Sequence, residues 1–338
     1  DIIAPFVERE AQILRNDGYL GNILALLIAY QSNAYPIRDV VRDNFKGTEI
    51  ACFTRRPSQV FAGSQARTGV ITGRKDADTD DAGIKTSRFI RFNENNREEV
   101  FRNISYESTE GLILGNKIDS GKDKSLPKIG DKTLRDILDK LKEHSDRVMR
   151  DCSSRQDETS HVVWRSRHPA YFINPCLENL YPDDDVPQDF DPLYFSTELE
   201  RRTGFLLLQS SLFYMYWMVY ENERDVNWKS IDTFPVPEED QLREKEEKIQ
   251  ELSEKLWSEM SDRFKGGSRE MIEQAGVVKP LADKADELFG SMFDLSEEEI
   301  KYVKEYDEQY RLNDVNQSQL VSADVDWDTE IESTEEDD

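Results

Sequence analysis

Cysteine is scarce. Three residues in 338, Cys52, Cys152 and Cys176, cannot build a disulfide framework, so a reducing cytoplasm is the default compartment. Long apolar runs are scarcer still: the longest, Gly204 to Tyr220, is interrupted by Gln209, Ser210 and Ser211 and falls short of the roughly 20 residues a membrane-spanning helix needs. That excludes a membrane protein. No signal peptide is expected, and because residue 1 is Asp rather than Met, a further segment upstream is expected. Positive charge is also short. Lys and Arg number 44 against 70 Asp and Glu, a net charge of −26, and such a sum argues against nucleic acid because phosphate binding relies on basic side chains. Either the partners are basic or neutral, or the protein is halophilic, since a Debye length of about 3 Å at 1 M salt tolerates an acidic surface.

Aromatic residues are plentiful. Five Trp and 16 Phe within a 10% aromatic fraction supply enough large side chains to offset the entropy of ordering, which excludes simple disorder. The length fits about two domains at roughly 150 residues each. In residues 1–75 the pattern alternates between helix and strand, and Lys85 to Phe101 resumes with a mixed pattern. Ile3, Val7, Ala11 and Leu14 recur at helical spacing, with Gly18 placed for a left-handed cap. Leu20 to Leu27 reads as a strand buried on both faces, as in a parallel sheet. Pro36 suits the first turn of a second helix with Ile37, Val40, Val41 and Phe45 inward, and strands follow at Glu49 to Phe53 and Gly69 to Gly73. Together these predict part of an α/β sheet.

An Asp-rich linker spans Asp76 to Ala82. Residues 102–203 are irregular, with one helix near Thr133 to Met149, and read as an α+β domain. Residues 204–312 read as a helical segment: an aromatic helix from Gly204 to Tyr220, favoured as core over a DNA-facing role, then a long charged helix. Leu242, Ile249, Leu252, Leu256, Met260 and Phe264 form its apolar stripe, which suits intramolecular packing better than a coiled coil. A last helical stretch covers Leu281 to Tyr310. From Asn313 onward ten acidic residues and no basic ones predict a disordered tail over 313–338.

Residues 45–75 hold Lys46, Arg55, Arg56, Arg67, Arg74 and Lys75 against Glu49 alone, a local balance of +5. Either this is a phosphate-contacting surface or its arginines pair with the acidic excess elsewhere. Cys152, His161, His168 and Cys176 lack the paired spacing of a zinc site.

The segment from Cys52 to Thr68, containing Arg55-Arg56-Pro57-Ser58-Gln59-Val60-Phe61-Ala62-Gly63, resembles the "RPS-x-x-F-x-G" loop of adenine-N6 DNA methyltransferases of the type IIG restriction-modification group. Ile13 to Gly21 resembles the family's run into its fifth strand. Arg91-Phe92 with Arg97 to Phe101 resembles its "RW…R-x-x-LF" segment, and Gln209 to Trp217 its "LNSSLFYWYW" helix. Asp286 to Phe289 with Leu295 to Ile300 resembles its closing element. Five motifs follow in the family's order, and the resemblance touches most of residues 4–311.

The resemblance implies an α/β plus α+β fold: the C-terminal half of a Rossmann-like methyltransferase sheet (1–101), a target-recognition domain (102–203) and a helical closing segment (204–312). It implies double-stranded DNA as partner, S-adenosylmethionine as cofactor of the complete enzyme, and Phe61 as the ring that stacks on an extruded adenine. The other reading places Phe61 in the core behind the loop. Arg55, Arg56, Ser58, Arg67 and Arg74 become DNA contacts of the basic loop. In the recognition domain the candidates are Lys124, Lys128, Arg147, Arg150, Arg155, Arg165 and Arg167, with Lys128, Arg165 and Arg167 foremost.

The chain also departs from the family. The cofactor loop and the "(N/D)-P-P-(Y/F)" motif are absent, and Ala25 replaces the Pro after the fifth strand; Asn174-Pro175-Cys176 and Asp191-Pro192-Leu193-Tyr194 are the nearest strings. Methyl transfer therefore needs an N-terminal catalytic half, trimmed, lost or on another chain. The alternative readings are a non-catalytic DNA-binding specificity subunit and an acidic interaction protein.

Overall fold

Apolar alternation in the first hundred residues produces four strands of one mixed five-stranded sheet. The computed structural model describes residues 3–64, 66–75, 83–112, 114–115, 124–156, 159–169, 171–179, 190–263, 275–312, 315, 317–323 and 325. Strands β1 (Tyr19–Ala25), β2 (Phe45–Phe53), β3 (Thr68–Lys75), β4 (Ile84–Ile90) and β5 (Glu107–Ser108) lie in the order β1-β3-β2-β4-β5. β3 is antiparallel to both β1 and β2, β2 is parallel to β4, and β5 is antiparallel to β4. β1 and β2 therefore share a direction, with helices α2 (Leu27–Tyr30) and α3 (Tyr35–Asn44) between them in sequence. As expected, Pro36 occupies the first turn of α3, where its missing N–H costs nothing, and Ile37 and Val41 are buried. Helix α1 (Ile3–Ile13) packs against α3.

Two expectations need correction here. The apolar run after Gly18 is not a central parallel strand: β1 is an edge strand of antiparallel pairing, with Tyr19 76% and Ile23 58% exposed. An uninterrupted apolar run encodes hydrophobicity, not which neighbours flank it. The left-handed residue after α1 is Asp17 (φ 63°), one position before the expected glycine.

Helix α4 (Arg97–Arg102) precedes a two-stranded ribbon of β6 (Leu114–Gly115) and β7 (Lys124–Ser125). The chain then threads between sheet and helices: Leu126 N–H donates to Ala29 O (2.8 Å), Lys128 N–H to Val219 O (3.1 Å) and Gly130 N–H to Thr86 O (3.0 Å). Helix α5 (Lys132–Glu143) starts where the Asp131 carboxylate accepts from Leu134 N–H, and ends six residues earlier than the pattern predicts. Helix α6 (Met149–Cys152) and the antiparallel strands β8 (Ser153–Ser154), β9 (Val162–Ser166) and β10 (Phe190–Phe195), ordered β8-β10-β9, complete the middle of the chain.

The aromatic segment is two helices, α7 (Glu198–Gln209) and α8 (Ser211–Tyr220), rather than one. Ser210 leaves helical geometry, and its hydroxyl caps α8 by accepting from Phe213 N–H at 3.1 Å. A polar side chain able to bond the backbone locally is what breaks an otherwise apolar helix here. Every residue of α8 is buried, so its rings are core, as favoured. The buried Asp286 carboxylate completes the cap, accepting from Ser211 N–H (3.1 Å) and Leu212 N–H (2.9 Å). The aromatic-helix motif and the closing motif thus meet at one hydrogen-bonded joint. Gly204 permits the close approach of α7 to β10, since a Cβ there would overlap the Phe195 ring.

Helix α9 (Trp228–Asp232) leads to α10 (Glu239–Glu244) and α11 (Glu246–Arg263). The charged helix is split in two at Lys245, and the stripe residues Leu242, Ile249, Leu252, Leu256 and Met260 are all buried, while Phe264 lies outside the described residues. Helix α11 packs on α7 and on α12 (Lys279–Met292), followed by α13 (Glu297–Glu305) and α14 (Glu308–Arg311). A capping box of Ser296 and Glu299 opens α13, and Glu299 also takes Lys140 of α5 at 2.6 Å.

One contiguous buried cluster runs from Val7 to Val325, drawing side chains from all three blocks. Part of the expected tail is docked on it: Val321 N–H donates to Val277 O (3.1 Å) and Val325 is buried. Apolar residues in the tail's first dozen positions account for that. The linker 76–82 and the tail beyond 325 lie outside the described residues. Among the described residues no helix is long and apolar enough to cross a membrane.

Candidate nucleic-acid interface

The β2–β3 connection, residues 54–67, projects from one end of the sheet. Its base is fixed by Thr54, whose N–H and hydroxyl both reach Ile90 O while the hydroxyl also donates to Arg56 O at 2.6 Å. Beneath the loop lies a small apolar cluster of Ala51, Phe53, Ile90 and Phe92, joined by Val60 and Phe101. Phe92 and Phe101 meet edge to face at 5.2 Å, and Arg97 covers both rings while donating to Val60 O. The Arg91-to-Phe101 segment is therefore the loop's foundation. At the far side of the loop Gly63 is left-handed (φ 78°), and Phe61 stands 48% exposed. That exposure removes the core reading of Phe61.

A cleft of about 280 Å³ opens beside the loop, lined by Arg55, Arg56, Arg67, Arg91, His168, Pro169, Tyr171, Glu223 and Arg224. Five arginines face one glutamate in a chain whose net charge is −26. Glu223 divides its carboxylate between Arg67 Nε (3.3 Å) and Arg91 (3.0 Å), and Arg91 also reaches Asp307 (3.4 Å). Burial opposes the Arg91 charge, but Asp307, Tyr214 and Glu223 more than compensate and raise its pKa. Arg91 is thus locked. Arg55 is the opposite case. Partial burial, then Arg67 and Arg56, lower its pKa, and among the described residues neither Arg55 nor Arg56 has a carboxylate within ion-pair distance. Nearby, His168 Nδ1 lies 2.7 Å from Asp225.

The remaining candidates disperse. Ser58 is half-buried within the loop. Arg74 lies near the other end of β3, roughly 20 Å along the strand from Thr68 at about 3.3 Å per residue, and pairs with Asp17 at 3.2 Å. The +5 segment is therefore two patches, since a hairpin puts its strand ends at opposite poles. Lys128 and Arg165 are corrected from surface contacts to interior residues. Lys128 is fully buried, its Nζ donating to Val219 O (2.6 Å) above the Phe89 ring, and burial pushes its pKa down to about 7. Arg165 is 1% exposed, stacked on Trp228 at 4.2 Å and paired with Asp191 at 3.0 Å; burial lowers its pKa to about 10. Arg167 shares Asp191 with it, although its side chain is 50% exposed. Arg147 is held by Pro237 O and Glu200, and Arg155 by Asp232 and Trp228.

The two strings nearest the amine-binding motif have structural work instead. Asp191 sits within β10 and grips Arg165 and Arg167, while Asn174 is buried and receives no solvent-facing position. The Cys152 and Cys176 thiols each donate to a backbone carbonyl, and burial raises both pKa values. Glu223, Arg224 and Tyr171 were not legible as site residues, because they come from distant segments with no shared spacing, and His168 was weighed only as a zinc ligand. Arg91 carried a signal only through the resemblance.

No protein-family model matches this chain, and no curated protein sequence matches it.

Proposed function

We propose that this chain is the DNA-facing part of an adenine-specific DNA methyltransferase of a restriction-modification system. In this reading residues 1–101 form the last strands of a Rossmann-like catalytic sheet, and the following segments hold the DNA. The observation that carries the reading is an exposed aromatic, Phe61, on the loop that bears the resembling motif, with an arginine-rich cleft beside that loop. The arginines grip phosphates, and the Phe61 ring offers an apolar face to a base taken out of its stack.

A second feature supports it. β1 ends the sheet with an unpaired edge among the described residues, and Tyr19 and Ile23 on it, with Phe6 and Ile13 on α1, are large exposed hydrophobics. Such an edge invites another strand, the place where an upstream catalytic half docks. S-adenosylmethionine belongs to that half. The residues present here do not fit the cofactor, because its loop motif is absent and the two nearest amine-binding strings are tied into β10 and the core. No methyl-transfer step runs through this chain's own side chains.

The same tied strings favour a second reading, a non-catalytic specificity subunit that positions a separate enzyme. The acidic remainder suits a high-salt cytoplasm under both. Transfer of labelled methyl from S-adenosylmethionine to duplex DNA, assayed with and without the upstream half, separates them. Activity on adding that half is expected; DNA binding without activity leaves the specificity subunit, and no DNA binding at all overturns both.

A further inference from the structure

We propose that the arginine cleft seats one phosphate group between Arg55 and Arg67, and that the Glu223 carboxylate is the displaceable stand-in for it. The DNA-facing reading supplies the carrier of that phosphate, and the inference rests on it only to that extent. Glu223 holds a left-handed backbone (φ 67°), a conformation that non-glycine residues adopt rarely and that clusters at functional sites. The turn that fixes it is built by Asn222, whose Oδ1 accepts from Arg224 N–H and Asp225 N–H, both at 2.9 Å. The result aims one carboxylate into a cleft crowded with guanidinium groups.

The two arginines that share Glu223 depend on it unequally. Arg91 keeps Asp307 if the carboxylate leaves. Arg67 has Glu223 as its only ion-pair partner among the described residues, and Arg55 and Arg56 have none. A phosphate presents the same paired anionic oxygens to a guanidinium fork as a carboxylate does, so it fits the seat that Glu223 now fills. Binding is then an exchange: phosphate pairs with Arg67 and Arg55 while Glu223 withdraws and Arg91 stays anchored to Asp307. The carrier is either a phosphodiester of duplex DNA or a free phosphate compound, and the two are separated by assay.

Wild type, Glu223→Gln and Arg55→Met are titrated at low salt with a labelled duplex and, separately, with inorganic pyrophosphate. Glu223→Gln is expected to fold because the new amide oxygen still accepts from Arg91, and Arg55→Met breaks no ion pair; thermal midpoints check both. Glu223→Gln is expected to tighten both ligands about fivefold to tenfold, an effect that shrinks as salt rises, and Arg55→Met to weaken both by a similar factor. If Glu223→Gln tightens pyrophosphate alone, the phosphate seat stands and the DNA-facing reading falls. If Arg55→Met weakens the duplex while Glu223→Gln changes neither ligand, the DNA-facing reading stands and the stand-in role is overturned. Indifference of both ligands to both variants overturns the seat itself.

Discussion

The molecule uses arginine in two contrasting ways. Inside, Arg91, Arg165 and Arg311 are each matched: Arg91 to Glu223 and Asp307, Arg165 to Asp191 and the Trp228 face, Arg311 to Ser211 Oγ (2.9 Å) and the rings of Tyr214 and Phe172. On the β2–β3 loop, Arg55 and Arg56 have no such partners among the described residues. In a chain with 70 acidic residues, cations left unmatched at a cleft are not explained by scarcity of carboxylates. The interior arginines tie elements of the fold together, whereas the loop arginines are, in our proposal, the ones that take an anion from outside. Removing one of each kind therefore has different consequences.

The largest effect belongs to the interior. Arg91→Ala takes away the cation that Glu223 and Asp307 share, leaving Glu223 to Arg67 and Asp307 to Arg88 and the Tyr214 hydroxyl, and a loss of roughly 3 kcal/mol, the lower end for a broken buried pair, is expected in urea unfolding. A loss below about 1 kcal/mol would erase the distinction between the two classes. Phe61→Ala is the loop's counterpart. With the side chain 48% exposed, stability should hold within about 0.5 kcal/mol, while binding to a duplex carrying a mismatched or abasic-partnered target adenine weakens by roughly 1–3 kcal/mol. Calorimetric melting and fluorescence of a 2-aminopurine target read the two quantities separately, and a destabilised protein with unchanged binding would return Phe61 to a structural role.

Lys128 sharpens the same contrast at smaller scale. Burial brings its pKa down to about 7, against about 10.4 in an unfolded chain. Between those values the unfolded chain binds more protons than the folded one, so this group makes stability rise with pH across about 7 to 10. Lys128→Met should flatten that rise and add roughly 1 kcal/mol near neutral pH, seen by denaturant unfolding at several pH values. An undiminished pH dependence would show that the ammonium is not desolvated.

Local chemistry was legible in the sequence where it was self-contained. Pro36 opens α3, the stripe from Leu242 to Met260 is buried, the residues of α8 are core, and the Arg55-to-Gly63 segment is a loop between strands with Arg56 and Phe61 exposed. What escaped depends on neighbours. β1 reads as central because apolarity does not report an open edge, and Lys128 reads as a surface residue because nothing local says that residues 125–130 thread between α8 and the sheet. The helix break at Ser210 needed Asp286, 76 residues on, to complete its cap. In the candidate site the loop arginines were visible as a charge reversal, whereas Glu223 and His168 joined them only through folding.

The most direct test of the loop-arginine claim is the salt dependence of duplex DNA binding for the wild type and for the Arg55→Ala/Arg56→Ala double variant. The account predicts measurable wild-type binding, an unchanged melting temperature in the variant, and a plot of log affinity against log salt flatter by about 0.9 for each phosphate that the variant no longer neutralises. Identical slopes, with both proteins folded, would contradict it.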